Sequence, residues 1–443
     1  MKTAIIGGGI SGLATAFYLR MHRPEWSITV LERGSEPGGT MRTAEVDGFR
    51  FERGSNGFLD NKPATLELIR AAEAEHLLMR SNDAARIRFI YHKGATQLLP
   101  QSPPAFLKTR LLSWPGKLRV AREFFVRARR DDAEESLKSF GDRRLGAEFT
   151  DVFLNAMSAG VYGSTPEKLC VNAAFPLVVN LEREHGGLFR GMLAKRKQEA
   201  GPGGVLQSFV GGVSTFIDHL ADRLDVRTDA GVRSLQRDDE RWTVETDAGT
   251  EQYDQVVLAT PAFAAARIVA GVDPKLAAEL DAIEYSPISV VGLGYRGLSH
   301  DLNGFGLLTT AAARLKVLGV LWDSSIFPDR APTGCQSLRV MIGGQRNPEL
   351  ALADDDELVA MAREGVATTM GVRDEPITTF VQRWPRGIPN YRVGHLAAME
   401  RLFLHVDAQP NLYLNCNAYR GIGVNDCVAN ARQCADAIIA ATA

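Results

Sequence analysis

Along this chain, short unbroken apolar runs are separated by glycine loops and by longer stretches with helical spacing. The first run, Thr3-Ala4-Ile5-Ile6, passes directly into Gly7-Gly8-Gly9-Ile10-Ser11-Gly12. This predicts a buried strand, a tight turn and a helix that starts at once. Ser27-Ile28-Thr29-Val30-Leu31 predicts a second strand. The chain then turns helical and basic, and an α/β pattern returns only near Gly211-Gly212-Val213-Ser214-Thr215-Phe216. From there residues 226–232 predict a strand, Arg241-Trp242-Thr243-Val244-Glu245-Thr246 another, and Gln255-Val256-Val257-Leu258-Ala259-Thr260-Pro261 a third, apolar one. Finally Leu412-Tyr413-Leu414 leads through a glycine loop into a helical stretch over 428–440. An α/β pattern that stops and resumes implies a discontinuous domain.

The glycine spacing gives the first loop a chemistry. In Gly7-x-Gly9-x-x-Gly12, Gly7 allows the tight turn, Gly9 lets the backbone approach a pyrophosphate, and Gly12 lets helix and strand pack closely. Ile10 and Ser11 open the helix, whose positive end faces the phosphates. Glu32 ends the second strand, where a carboxylate accepts hydrogen bonds from a ribose. A lone glycine motif also fits a purely structural bend, and the strand and acid around it decide for a dinucleotide. The next segment, Arg33-Gly34-Ser35-Glu36-Pro37-Gly38-Gly39-Thr40-Met41-Arg42, resembles the second phosphate-contacting segment of flavoproteins that include amine oxidases, carotenoid desaturases and protoporphyrinogen oxidases. That resemblance implies FAD, with Arg33, Gly39 and Arg42 beside it. The expected fold class is α/β. A Rossmann-like FAD-binding domain is assigned 1–79, 205–290 and 400–443, an inserted, mainly helical domain 80–204, and an α+β substrate domain 291–399.

Composition narrows the picture only slightly. The 443 residues hold two or three domains. A net charge of -2 gives no reason to expect nucleic acid. There is no apolar run of membrane-spanning length and no leader pattern before the first strand, so a cytoplasmic location is expected. The five cysteines lack zinc spacing and read as reduced thiols, and no metal site is expected.

The segment Tyr419-Arg420-Gly421-Ile422-Gly423-Val424-Asn425-Asp426-Cys427 resembles the C-terminal signature of the protoporphyrinogen and coproporphyrinogen oxidases. Four more segments agree in order: Gly54-Ser55-Asn56-Gly57-Phe58-Leu59; Ala159-Gly160-Val161-Tyr162; Phe175-Pro176 with Leu181-Glu182-Arg183-Glu184-His185-Gly186; and Gly387-Ile388-Pro389-Asn390-Tyr391 with Gly394-His395. Cys416 departs from the family, which usually carries glycine there. The resemblance implies that Gly54, Ser55, Asn56 and Gly57, together with Ile422, Gly423 and Val424, contact the flavin. Val232 touches the adenine side or is plain core. Asp426 caps the last helix.

For a porphyrinogen the reaction removes six hydrogens in three two-electron steps. Each is a hydride transfer to flavin N5, with dioxygen as the final acceptor and hydrogen peroxide released. No catalytic side chain is required, only an apolar slot. Family positions place Phe305, Leu308, Met341 and Gly160 in that slot, Arg88 against a propionate, and Asn56 near both flavin and substrate. Each of these residues taken alone also reads as core or surface. Residues 105–130 carry eight Lys or Arg and one acid, Glu123, among Phe106, Trp114, Leu118, Phe124 and Phe125. This pattern fits either a membrane surface or a helical core whose charges pair with Asp131, Asp132, Glu134 and Glu135. A homodimer and product transfer to ferrochelatase are further partnerships under this resemblance. Besides protoporphyrinogen IX, the readings left open are coproporphyrinogen III, an amine or polyene oxidase of the same fold, and a non-enzymatic porphyrin carrier.

Overall fold

The first strand lies in the middle of a five-stranded parallel sheet. In the computed structural model, which describes residues 1–198 and 204–442, the strands are ordered Asp225–Arg227, Ser27–Leu31, Lys2–Ile6, Gln255–Leu258 and Leu412–Leu414. The unbroken apolar runs follow from burial on both faces. Ala4, Ile6, Val256 and Leu258 point into one core with Trp242, Val244 and the helix Ala262–Val269. Ile5, Val30 and Val257 point into the other, against Leu13 and Leu19 of the helix Ile10–His22 and Val428, Ala431 and Ala435 of the helix Val424–Ala441.

Two local expectations change. Residues 226–232 are not one strand. Asp225–Arg227 joins the parallel sheet, and Val232–Asp238 starts a three-stranded antiparallel sheet with Arg241–Thr246 and Gly249–Tyr253. Between them Asp229 takes a left-handed φ of 52°, and the amides of Asp229 and Ala230 donate to the carbonyls of Gly34 and Glu32. The last helix begins at Val424 rather than 428, directly after the glycine loop.

A seven-stranded sheet forms the second body, in the order Thr378–Pro389, Tyr285–Arg296, Cys335–Gly343, Val317–Leu321, Gly306–Thr309, Arg88–His92, Ala95–Leu98. All its pairings are antiparallel except Gly306–Thr309 with Arg88–His92. The helix Asp355–Met370 packs on one face through Leu358, Ala362 and Val366. This corrects three of the expected boundaries. Residues 88–98, assigned to the helical insertion, belong to this sheet because their ladder runs to residues 306–309. Tyr285–Arg296 is one strand across the expected break at 290. His395–Asp407 is one helix across the expected break at 400, and its Met399, Leu402 and Val406 join the core of the parallel sheet.

Short helices fill the interval between the two bodies, including Trp114–Ala121, Leu137–Arg144, Asn155–Tyr162 and Pro176–His185; residues 199–203, at the end of the expected insertion, lie outside the described residues. A buried charge cluster ties these helices together. Arg144 and Glu123 are both fully buried and paired, and Glu182 receives Arg143 at 2.6 Å and Arg144 at 3.3 Å. Burial pushes the Glu182 carboxyl up, and the hydrogen bonds from Arg143 and the Arg129 amide outweigh that, so its pKa lies below the ordinary value.

Candidate active site

Two glycine segments meet at the carboxyl end of the parallel sheet. Gly7 adopts φ +111°, and a Cβ there would lie 2.8 Å from the Ala259 carbonyl oxygen. At Gly12 a Cβ would lie 2.0 Å from the Gly7 oxygen, whereas at Gly9 it would meet nothing within 4 Å. The Gly38 amide donates to Gly8 O at 2.8 Å, and a Cβ on Gly39 would lie 3.6 Å from Gly9 Cα. Glu32 accepts from Gly8 N and Gly34 N, both at 2.7 Å, which fixes the first loop to the second strand. Each carboxylate oxygen retains lone pairs for a ribose. Ile10 and Ser11 are buried in the first turn of the helix. Arg33 is exposed and lies against Gly231, next to Val232. Arg42 bonds Glu36 and Asp218, so the charge expected there is already matched by carboxylates.

A second helix N-terminus enters from the C-terminal segment. Gly423 precedes Val424–Ala441, and its amide donates to Asp426 Oδ2 at 3.3 Å, so Asp426 acts as a cap. Asn415 Nδ2 donates to Ser11 O and Thr15 Oγ1, which brings this segment onto the first helix. Cys416 is buried here, and burial raises its thiol to about 12, so it stays protonated at neutral pH.

Residues 54–57 thread between the two bodies. A Cβ on Gly54 would lie 2.6 Å from Thr40 O, and one on Gly57 2.0 Å from Gln207 O. Ser55 N donates to Thr40 O at 3.4 Å. Both amide atoms of Asn56 are buried without a partner. A buried amide with neither donor nor acceptor satisfied fits a site whose partner is a bound group. With the open Gly9 backbone and the two converging helix N-termini, the residues present fit a flavin dinucleotide.

Beside this loop the seven-stranded sheet presents an apolar wall. The Arg88–Gly306 register brings Arg88 next to Phe305, with the guanidinium carbon 5.1 Å from the ring centroid. Among the described residues Arg88 has no carboxylate partner, and it opens its strand as an exposed residue. Leu308, Gly319 and Met341 are successive partners across three strands. Leu308 also covers Gly160, where a Cβ would lie 2.7 Å from Leu308 Cδ2, and shares a cluster with Ile422 of the glycine loop. Met341 packs with Trp384 and Ile388 against Ala159 and Leu318. The structure thus brings Leu308, Met341 and Gly160 together, with Ile422 in the same cluster as Leu308, and pairs Arg88 with Phe305 at the end of this row, where Phe305 packs on Ala85, Ile326 and Phe327.

Sequence reasoning missed three residues here. Arg339 is a charge within the apolar strand Cys335–Gly343, the usual sign of a buried pair. Trp384 precedes the Gly387-Ile388-Pro389 segment but carries no motif of its own. Arg346 is half-buried, bonded to Thr309 and Asn155 and without a carboxylate among the described residues; burial lowers it to about 10.

Comparison with known proteins decides the family. The model of the flavin-containing amine oxidoreductases matches residues 10–439. This chain belongs to that family. A flavin cofactor follows from membership, in line with the FAD expected from the sequence. Within the family, the chain is 27% identical to the coproporphyrinogen III oxidase of Bacillus subtilis, covering 96% of this chain and 95% of that one. It is 29% identical to human protoporphyrinogen oxidase, with 98% of each covered. A crystal structure of a candidate protoporphyrinogen oxidase from Exiguobacterium sp. 255-15 superposes with a TM-score of 0.87 at 26% identity, covering 99% and 98% of the two chains.

Proposed function

We propose that this flavin-containing amine oxidoreductase oxidises protoporphyrinogen IX to protoporphyrin IX in haem biosynthesis, using FAD and three molecules of dioxygen and releasing three of hydrogen peroxide. The observation that carries this reading is the unpaired Arg88 guanidinium at the end of an otherwise apolar wall. That pairing of features suits a large hydrophobic macrocycle with peripheral carboxylates. Similarity to proteins named for porphyrinogen oxidation supports it.

In this reading bound FAD supplies a two-electron acceptor. Arg88 grips a propionate through charge-assisted hydrogen bonds. Phe305 and Leu308 sandwich a pyrrole ring, while Met341 and Gly160 shape the wall and hold one bridging carbon toward the cofactor. Glu32 holds the ribose, and the loops at Gly9, Gly39 and residues 54–57 surround the dinucleotide. The parallel sheet with its helices serves as the FAD-binding domain and the seven-stranded sheet as the substrate domain.

The helical part serves as a membrane-surface contact. Phe125, Trp114, Leu118 and Leu107 are 84%, 66%, 64% and 54% exposed. Lys108, Arg110, Arg122 and Arg127 near them form no ion pairs among the described residues, and Asp131 and Glu135 bond Arg129 and Arg143 instead. Among the described residues no helix is long and apolar enough to cross a membrane, so the contact proposed is peripheral.

Arg346, a second guanidinium without a carboxylate close to Leu308, favours coproporphyrinogen III as the other reading, since that substrate carries two more propionates. An aerobic fluorescence assay of the purified yellow protein with both porphyrinogens, recording peroxide, tests the proposal. Porphyrin formation matched by peroxide is expected with protoporphyrinogen IX. Turnover of coproporphyrinogen III alone selects the second reading, and silence with both overturns porphyrinogen oxidation.

A further inference from the structure

Residues 52–54 present three successive backbone carbonyls to the seven-stranded sheet, and all three are taken. Arg339 Nη1 donates to Glu52 O at 3.0 Å and Gly54 O at 3.3 Å. Trp384 Nε1 donates to the intervening Arg53 O at 2.7 Å. Arg339 is itself held. Its Nε and Nη2 lie 3.1 and 3.2 Å from the Asp323 carboxylate, and both residues are buried. On the opposite side the segment is pressed against Thr40, directly after the paired glycines of the cofactor loop. The chain emerging from this grip is Ser55-Asn56, whose buried amide has no partner in the protein. Trp384 and Met341 pack against the same small cluster of Ala159, Ile288 and Leu318.

We propose that Arg339 and Trp384 are positioning residues. They clamp the carbonyls of 52–54 so that the Asn56 amide is held at the flavin, and through the Trp384 ring they couple occupancy of the substrate wall to that loop. Neither touches the reacting atoms. A loop with three consecutive carbonyls fixed by side chains from another body loses its freedom to shift, and loosening one of them frees the residues that follow. The inference rests on the flavin-oxidase reading above.

Trp384→Phe removes the N–H and keeps the ring. In the FAD-loaded protein, amide hydrogen exchange over residues 53–58 is expected to speed up about tenfold, the change that one lost hydrogen bond brings. The visible flavin spectrum shifts, and FAD dissociates more readily. Flavin reduction at saturating protoporphyrinogen IX slows about tenfold while KM changes less than about twofold. Arg339→Lys, which keeps the charge but not the fork, is expected to lie between wild type and Arg339→Met. Since Arg339→Met leaves Asp323 unpaired, the double variant Arg339→Met with Asp323→Asn serves if the single one does not fold. Trp384→Phe protein with wild-type exchange, spectrum and reduction rate overturns the clamp. If the wild type oxidises no porphyrinogen, the functional reading fails, and exchange and FAD dissociation still judge the clamp.

Discussion

At Gly12 an added methyl group would stand 2.0 Å from a backbone oxygen, and neither the helix nor the strand can yield that distance. Gly9 has open space in front of it and an ordinary extended backbone, φ −71° and ψ 173°. The two glycines therefore separate folding from cofactor binding. Gly12→Ala is expected to give insoluble or colourless protein. Gly9→Val is expected to fold with an apoprotein melting curve like wild type and to bind FAD at least about 100-fold more weakly, because only a ligand fills that space. Thermal melts of the apoproteins and FAD titration by fluorescence check both. At Arg88 the loss of a charge-assisted pair predicts that Arg88→Ala raises KM for protoporphyrinogen IX about 10- to 100-fold, with flavin reduction at saturation nearly unchanged. Equal KM values for the two proteins would remove Arg88 from the site.

Among the elements, the strands buried on both faces were legible because nothing but an unbroken apolar run can serve them; Ser27–Leu31 and Leu412–Leu414 fall where the pattern puts them. The run at 226–232 misled because hydrophobic spacing does not register a left-handed residue such as Asp229. Residues 88–98 misled because a parallel ladder to 306–309 leaves no local trace. The substrate positions proposed for Arg88, Phe305, Leu308 and Met341 came from family resemblance and not from spacing. Arg339 and Trp384 act by donating to backbone carbonyls, which any sequence can offer; the charge of Arg339 inside an apolar strand pointed to a buried pair but not to its carbonyl partners, and Trp384 carried no signal. The Glu182 cluster yields a pH prediction. A carboxylate with a lowered folded-state pKa stabilises fully above its unfolded value, near 4.5, and loses that contribution as pH falls through the lowered one. Glu182→Gln is therefore expected to cost about 3 kcal/mol near neutral pH, with the gap to wild type narrowing as pH falls from the unfolded carboxylate value through the lowered folded one. Thermal melts from pH 3 to 7 measure this, and a gap independent of pH would contradict it.

For the whole molecule, the exposed Trp114, Leu118 and Phe125 among unpaired cations predict binding to anionic vesicles that weakens with salt. Replacing all three by Asp should abolish sedimentation with vesicles while leaving turnover of a detergent-dispersed porphyrinogen within about twofold, since these side chains are exposed and take no part in the cluster that Leu308 packs against. Unchanged sedimentation would make the face an ordinary surface. The order of the parallel sheet also bears on how the chain is made. Thr3 and Gln255 bond each other across 252 residues, and the edge strand at 412–414 comes later still. The first strand has Ser27–Leu31 on one edge early in synthesis, but at ordinary translation speeds its other edge waits on the order of 10 s or longer for Gln255–Leu258, open and apolar on both faces. Nascent chains of this protein are therefore exposed to aggregation until the third quarter of synthesis, and the flavin can be captured only near its end, when the second helix N-terminus arrives.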